Sequence, residues 1–168
     1  MHERFEYVLD LPRRNKFTDA AVPEGLSLRT PGAGDLSALA ELMLEAYRDT
    51  IDYAGETIVE ATDEIRRYLG GDAVNRPLLE PSVVLTDGTT LASACLVACW
   101  TSRDCPLVSY VITHPLWKRR GLAKRLVAES LSRLATDGHS EVRAMITKGN
   151  LPSERLFVSL GFAKVNRA

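Results

Sequence analysis

No apolar run in this 168-residue chain approaches the roughly 20 residues needed to span a bilayer, and its N-terminus has no apolar core followed by a cleavage site. Nothing in it calls for a membrane, and a reducing cytoplasm is the expected compartment. Net charge is nearly absent as well, 21 basic against 22 acidic residues leaving −1, so no global field draws the chain to nucleic acid. Its one basic cluster, Lys118-Arg119-Arg120 with Lys124 and Arg125, lacks the interleaved aromatics of a base-stacking surface. Cys95, Cys99 and Cys105 show no paired C-x-x-C spacing and lie in or beside apolar, strand-like runs. They point to buried reduced thiols rather than disulfides, and no metal site is expected. No repeat or low-complexity tract interrupts the chain.

What is present is an ordinary globular composition, 45% apolar and 26% charged, at the length of one domain. Leu26 to Thr30 reads as a strand, and Asp35 is placed to cap a helix that runs through Tyr47. Ile58, Ala61, Ile65, Tyr68 and Leu69 recur at helical spacing before Gly70-Gly71. Strands follow over Ser82 to Thr86, Leu91 to Trp100 and Leu107 to Thr113, the first two joined by an Asp87-Gly88 hairpin turn. A helix from Gly121 to Asp137 carries its apolar face on Leu122, Leu126, Val127, Leu131 and Leu134. Arg125, Glu129, Arg133 and Asp137 form an alternating-sign row on its other side, expected to be solvated. Glu141 to Thr147 is a strand, a short helix follows Asn150, and Phe162 to Val165 opens a last strand. Residues 1–25 read as an N-terminal extension with a candidate strand at 4–11, and residues 26–168 as the main domain.

The most informative stretch is Val111-Ile112-Thr113-His114-Pro115-Leu116-Trp117-Lys118-Arg119-Arg120-Gly121-Leu122-Ala123-Lys124, a strand that passes through a proline into a turn opening a helix. The amides from Arg119 to Ala123 lack intrahelical partners at the positive end of the helix dipole, a setting that suits a pyrophosphate. Lys118, Arg119, Arg120 and Lys124 add charge, and Gly121 lets the backbone come close to a ligand.

Lys118-Arg119-Arg120-Gly121-Leu122-Ala123 resembles the acyl-CoA signature of the GNAT superfamily of N-acyltransferases: Gln/Arg, two variable residues, Gly, one variable residue, then Gly/Ala. Lysine in place of Gln/Arg keeps the charge. Asn150, Ser153, Leu156, Leu160, Gly161 and Phe162 resemble the second signature of that family, and Phe157 stands where tyrosine is common. The resemblance covers residues 83–165 firmly and 26–82 more loosely. It implies an α/β GNAT fold, a mixed central sheet flanked by helices.

The function it implies is acetyl transfer from acetyl-CoA to a primary amine of a small molecule, peptide or protein, by direct attack in a ternary complex. Val111, Ile112 and Thr113 then offer backbone groups to the pantetheine and the thioester carbonyl, while Lys118 to Lys124 hold the phosphates. Asn150, Ser153 and Phe157 form the wall beside the thioester. Phe157 supplies no phenol to protonate the leaving sulfur; a positioned acid contributes on the order of 10²–10⁴-fold, and Ser153 is the substitute donor. The acceptor wall reads Tyr47-Arg48-Asp49-Thr50-Ile51-Asp52-Tyr53-Ala54-Gly55-Glu56-Thr57. Asp52 and Glu56 are the leading candidates to draw in a cationic amine and take its proton, with Tyr47 and Tyr53 beside them. Asp104 is a further candidate base. His114 reads as a surface residue and Trp117 as packing beneath the turn. A domain that binds acyl-CoA as a sensor or scaffold without turnover is the alternative, with Phe157 as its argument.

Only six residues follow Phe162, so the strand with which the family closes its sheet is not found at that end. Phe5, Tyr7, Leu9 and Leu11 alternate with Glu6, Val8 and Asp10 before Pro12-Arg13-Arg14 breaks the pattern. An uncovered apolar edge invites aggregation. The N-terminal strand is therefore expected to pair antiparallel beside Glu141 to Thr147 or the strand starting at Phe162, within the chain or swapped into a partner in a homodimer.

Overall fold

Residues 2–11 and 21–166 are described by the computed structural model, in which one sheet carries two helices on each face. The elements run β1 (Arg4–Asp10), β2 (Ser27–Arg29), α1 (Leu36–Tyr47), α2 (Ile58–Gly70), β3 (Asn75–Thr86), β4 (Leu91–Trp100), β5 (Cys105–Thr113), α3 (Leu122–Thr136), β6 (Glu141–Thr147), α4 (Leu151–Ser159) and β7 (Ala163–Lys164). Across the sheet the order is β2-β3-β4-β5-β6-β1-β7. Every neighbouring pair is antiparallel except β5 with β6.

Strand alternation sorts side chains into two cores. Leu39, Met43, Ile65 and Tyr68 from α1 and α2 meet Val84, Leu96 and Ile112 on one face. Leu122, Leu126, Leu131 and Leu134 from α3, with Phe157 from α4, meet Val83, Val97 and Val142 on the other. Each such buried aliphatic side chain contributes about 1.5–3 kcal/mol. The three cysteines are buried, and burial pushes the Cys95 thiol up to about 12. Among the described residues no helix is long and apolar enough to cross a membrane.

β1 lies between β6 and β7, in register from Arg4 opposite Thr147 to Asp10 opposite Glu141. It pairs antiparallel with both neighbours inside its own chain, covering the edge that β6 would otherwise expose. Tyr7 enters the core, and the buried Glu6 accepts from Arg103 at 2.6 Å and from Arg143. Pro12, Arg13 and Arg14, read as the break after this strand, lie outside the described residues.

Three expectations change. β3 begins at Asn75 rather than Ser82, because a bulge between Leu78 and Val83 absorbs Pro81 inside the strand. The Ser82 hydroxyl accepts from the Val97 amide at 2.9 Å and donates to the Leu78 carbonyl at 2.6 Å, replacing lost ladder bonds. Asp35 precedes α1 but makes no side-chain cap to it. Its carboxylate instead accepts from the Gly32 amide at 2.8 Å and from both Arg29 nitrogens, at 2.7 and 2.8 Å. The charged row on α3 is not a freely solvated face: Glu129 pairs with Arg125 and Arg133, and Arg133 also donates to the Glu80 carbonyl at 3.0 Å. That carbonyl belongs to the bulge of β3, so the row braces α3 against the irregular part of the sheet.

Two irregularities in β5 shape the centre. Opposite Leu96 and Val97 of β4 stand Tyr110 and Val108, so Ser109 is an extra residue, a β-bulge. Val108 packs in the α3 core while Tyr110 and Ile112 pack against α1 and α2, so the bulge inverts the alternation of the strand. Parallel pairing of β5 with β6 covers only Leu107 with Arg143 and Val108 with Ala144. Past that point the two strands diverge.

Candidate active site

The divergence opens a cleft of about 1140 Å³. Ser109 to Thr113 and Met145 to Thr147 line its two sides, the turn before α3 lies at one end, and α1, α2 and their connection lie at the other.

At the turn, Arg119 and Gly121 both take left-handed backbone, with φ of +64° and +74°. Gly121 is the N-cap of α3, and a Cβ built there would meet nothing within 4 Å. Arg119 is a non-glycine residue held in a conformation that costs of order 1–3 kcal/mol. The result is a concave run of amides. Among the described residues, the amides from Arg119 to Lys124 find no backbone acceptor, while Arg125 N–H closes the first helical bond onto Gly121 at 3.0 Å. Lys118, Arg119, Gly121, Leu122, Ala123 and Lys124 line the cleft. Arg120 does not: its guanidinium lies 4.8 Å over the Trp117 ring, which is half-buried under the turn. The Lys118 ammonium donates to the Ala46 carbonyl at 3.0 Å, tying the turn to the end of α1, where a cation suits the helix dipole.

Along β5, Val111, Ile112 and Thr113 line the cleft. The Ile112 side chain is buried, and the Thr113 hydroxyl shares a hydrogen bond of 2.8 Å with Ser93, so these residues face the cleft through backbone. His114 accepts from the Leu116 amide at 3.2 Å through Nδ1 and starts the single 3₁₀ turn before Lys118. On the opposite side Asn150 caps α4 by accepting from the Ser153 amide at 3.1 Å. Phe157 meets Phe162 edge to face, with ring centroids 5.0 Å apart. Ser153 and Phe157 both line the cleft.

At the far end Tyr47, Asp52, Tyr53 and Glu56 come together as lining residues. Asp52 accepts from the Asn150 side-chain amide at 2.7 Å, across 98 positions of sequence. Glu56 is exposed and accepts from the Ala54 amide at 2.9 Å. Burial raises the Tyr47 phenol well above its ordinary range, with the Asp52 charge adding to the effect. Asp104 stands at the other end of β5 from Thr113 and is not among the lining residues, so it is not placed to act as a base here.

Among the lining residues that sequence reasoning missed are Tyr110, Glu64 and Arg4. Tyr110 donates to the Glu64 carboxylate, and Arg4 reaches the same cleft from β1. Glu64 flanks Ile65 of the α2 stripe and Tyr110 sits inside an apolar strand, so neither carries a local signal. The alternation of β1 was visible, but not that its first residue would border a cleft.

A family model described as FR47-like protein matches residues 89–168. By sequence, no curated protein matches the chain. Among solved structures, a GCN5-related N-acetyltransferase from Sphaerobacter thermophilus aligns with a TM-score of 0.71 and 19% identity, over 98% of this chain and 50% of that one. A tandem GNAT protein from the clavulanic acid biosynthesis pathway aligns at 0.71 and 18%, over 99% and 55%. The chain thus spans about half the length of these two. Diaminobutyrate acetyltransferase from Paenibacillus lautus, solved with L-2,4-diaminobutyric acid and coenzyme A, aligns at 0.58 and 18%, over 80% and 73%. With a seven-stranded sheet splayed between β5 and β6, the chain has the fold of these GCN5-related N-acetyltransferase structures, and its C-terminal part is similar to the FR47-like family.

Proposed function

We propose that this chain transfers an acetyl group from acetyl-CoA to a primary amine by direct attack in a ternary complex. One observation carries the reading: a turn of unpartnered amides and cations opens into a cleft whose other end is lined by carboxylates. Acetyl-CoA supplies the acyl thioester. The residues present fit it, since amides 119–124 and Lys124 suit a pyrophosphate and the divergent strands leave an unpaired edge on β5 for the pantetheine amides. A backbone N–H near Val111 to Thr113 is the donor for the thioester oxygen. Asn150, Ser153 and Phe157 form the facing wall.

The acceptor occupies the end bounded by Tyr47, Asp52, Tyr53 and Glu56. Solved relatives by fold include proteins crystallised with CoA beside amine-bearing molecules, diaminobutyric acid in one case and a CoA-linked neamine analogue in another. A cationic amine suits this wall because Asp52 and Glu56 attract it and a carboxylate takes the proton it must lose before attack. Ser153 is the donor to the departing sulfur. Free thiol released from acetyl-CoA in the presence of an amine panel, measured beside acetyl-CoA binding, tests the reading: binding with amine-dependent release supports it.

A second reading has its own observation. Phe157 packs against Phe162 and brings no hydroxyl to the leaving sulfur. Acetyl-CoA binding without release for any amine in the panel would favour a sensor or scaffold domain.

A further inference from the structure

Glu64 and Tyr110 form a hydrogen-bonded pair at the wall of the cleft, and neither belongs to the turn nor to the α1–α2 connection. Tyr110 immediately precedes the Val111 to Thr113 segment, and the Ser109 bulge turns it toward α1 and α2. Its ring meets Tyr68 edge to face, with centroids 6.0 Å apart, which fixes the phenol. Glu64 reaches it from α2, holding Arg67 at 2.8 Å through its other oxygen. The remaining charged or titratable groups near Tyr110 are Tyr47 from α1 and Arg4 from β1. Burial, then the Glu64 hydrogen bond, raises the Tyr110 phenol far above neutrality, so it stays protonated.

Four other carboxylates that line the cleft are engaged elsewhere, Glu60 by Thr57 and Asp63 by Arg66 among them. Asp52 is drawn to Asn150, and Glu56 turns back to its own loop. We propose that the amine loses its proton through Tyr110 to Glu64, Tyr110 being the catalytic residue and Glu64 the positioning residue that receives the proton. This rests on the acyl-transfer reading. An N–H bond of the bound ammonium breaks as its proton passes to Tyr110 Oη, and the original Tyr110 hydroxyl proton passes to Glu64 Oε1. The phenol ends neutral, the carboxyl ends protonated, and the nitrogen keeps the lone pair that makes the amide bond. A neutral tyrosine is thus a conduit, and Glu64 is the acceptor.

The experiment compares the parent chain with Tyr110→Phe and Glu64→Gln, using acetyl-CoA and three probe amines: benzylamine, 1,4-diaminobutane and L-2,4-diaminobutyrate. Both variants are expected to bind acetyl-CoA as the parent does and to lose about 10²-fold in kcat, the lower end for a positioned proton acceptor. The pH profile separates a proton path from a structural role. Without the relay, the bound amine reacts only in its neutral fraction, so kcat should rise about tenfold per pH unit below an amine pKa near 10. The parent kcat should be flat between pH 6 and 9. A readout independent of turnover is the ¹³Cζ resonance of Tyr110, among five tyrosines, which should follow a carboxylate titration in the parent and not in Glu64→Gln. Variants within twofold of the parent kcat with its flat profile, or no tyrosine resonance that follows such a titration, overturn this assignment alone. A parent that binds acetyl-CoA but releases no thiol with any of the three amines overturns the acyl-transfer reading together with it.

Discussion

Replacing Gly121 by valine separates the cost of backbone strain from the cost of blocking a ligand. Gly121 sits at φ +74°, and the space where a Cβ would project holds no protein atom. Valine there meets no steric contact within the fold and costs about 1–2 kcal/mol for left-handed backbone. In a chain of this size each kcal/mol moves Tm by roughly 2–4 °C, so a fall of about 2–8 °C is expected. Gly121 lines the cleft, and on the proposed placement of acetyl-CoA a branched side chain there should keep the phosphates from the amides. Losing one hydrogen bond to a charged group costs about 1.5–3 kcal/mol, or roughly 10- to 100-fold in Kd. Gly138, past the far end of α3, is the control: φ is +88° and the space is equally open, but it is not among the residues lining the cleft. Gly138→Val should lower Tm by a similar amount and leave acetyl-CoA affinity alone. Thermal unfolding run beside calorimetric titration with acetyl-CoA reads both quantities. An acetyl-CoA Kd for Gly121→Val equal to that of the parent would refute the placement of the pyrophosphate.

Phe157→Tyr should raise kcat with little change in acetyl-CoA affinity if an absent acid limits the rate; equal or lower turnover would show that leaving-group protonation is not limiting. Deleting residues 1–11 removes Tyr7 from the core and uncovers β6, so urea unfolding should show a loss of several kcal/mol, burial of one large apolar side chain alone contributing about 1.5–3. A loss below about 1 kcal/mol would contradict the role of β1. The Arg29 hydrogen bonds hold the Asp35 carboxyl below its ordinary range. Such a depressed group contributes stability above its unfolded pKa near 4 that is lost as pH falls through the folded value. Asp35→Asn should therefore lower stability near pH 7 by up to about 1 kcal/mol, Arg29 being half exposed, and flatten stability between pH 5 and 3; an unchanged acid limb would refute the pairing. Lys118→Met should weaken acetyl-CoA binding and loosen the end of α1, seen as faster amide exchange at Arg48 and Thr50; exchange there matching the parent would argue against the tie to Ala46.

Local chemistry made much of the fold readable. Leu91 to Trp100 and Glu141 to Thr147 have the expected bounds because a mostly apolar run in the first and the alternating Val142, Ala144 and Ile146 in the second are bounded by turn residues. The turn at Gly121 was legible because a glycine, a proline and four cations crowd a helix start. β1 was legible through the alternation of Phe5, Tyr7, Leu9 and Leu11, and it pairs with β6 and β7. What could not be read depends on contacts far apart in sequence. Tyr110 and Glu64 meet across 46 positions, and Asp52 and Asn150 across 98. The charged row on α3 has the spacing of a solvated face, and only the bulged carbonyl of Glu80 gives it a buried task. Proline at 81 argues against a strand, and only the bulge between Leu78 and Val83 makes room for it.

That side chains alternate along a strand is a matter of parity, and Ser109 behaves like a frameshift in it. Changing this residue alters one side chain. Removing it would leave Val108 followed directly by Tyr110, a regular ladder in which Val108 still faces α3 and Tyr110 and Ile112 still face the helices that bound the acceptor end, so only the local bend and twist of the bulge would be lost. Substitution and deletion of Ser109 should thus both leave the two faces in place, the deletion straightening β5 where it parts from β6. In this fold, the extra residue sets where the strand bends rather than which side chains face the acceptor end.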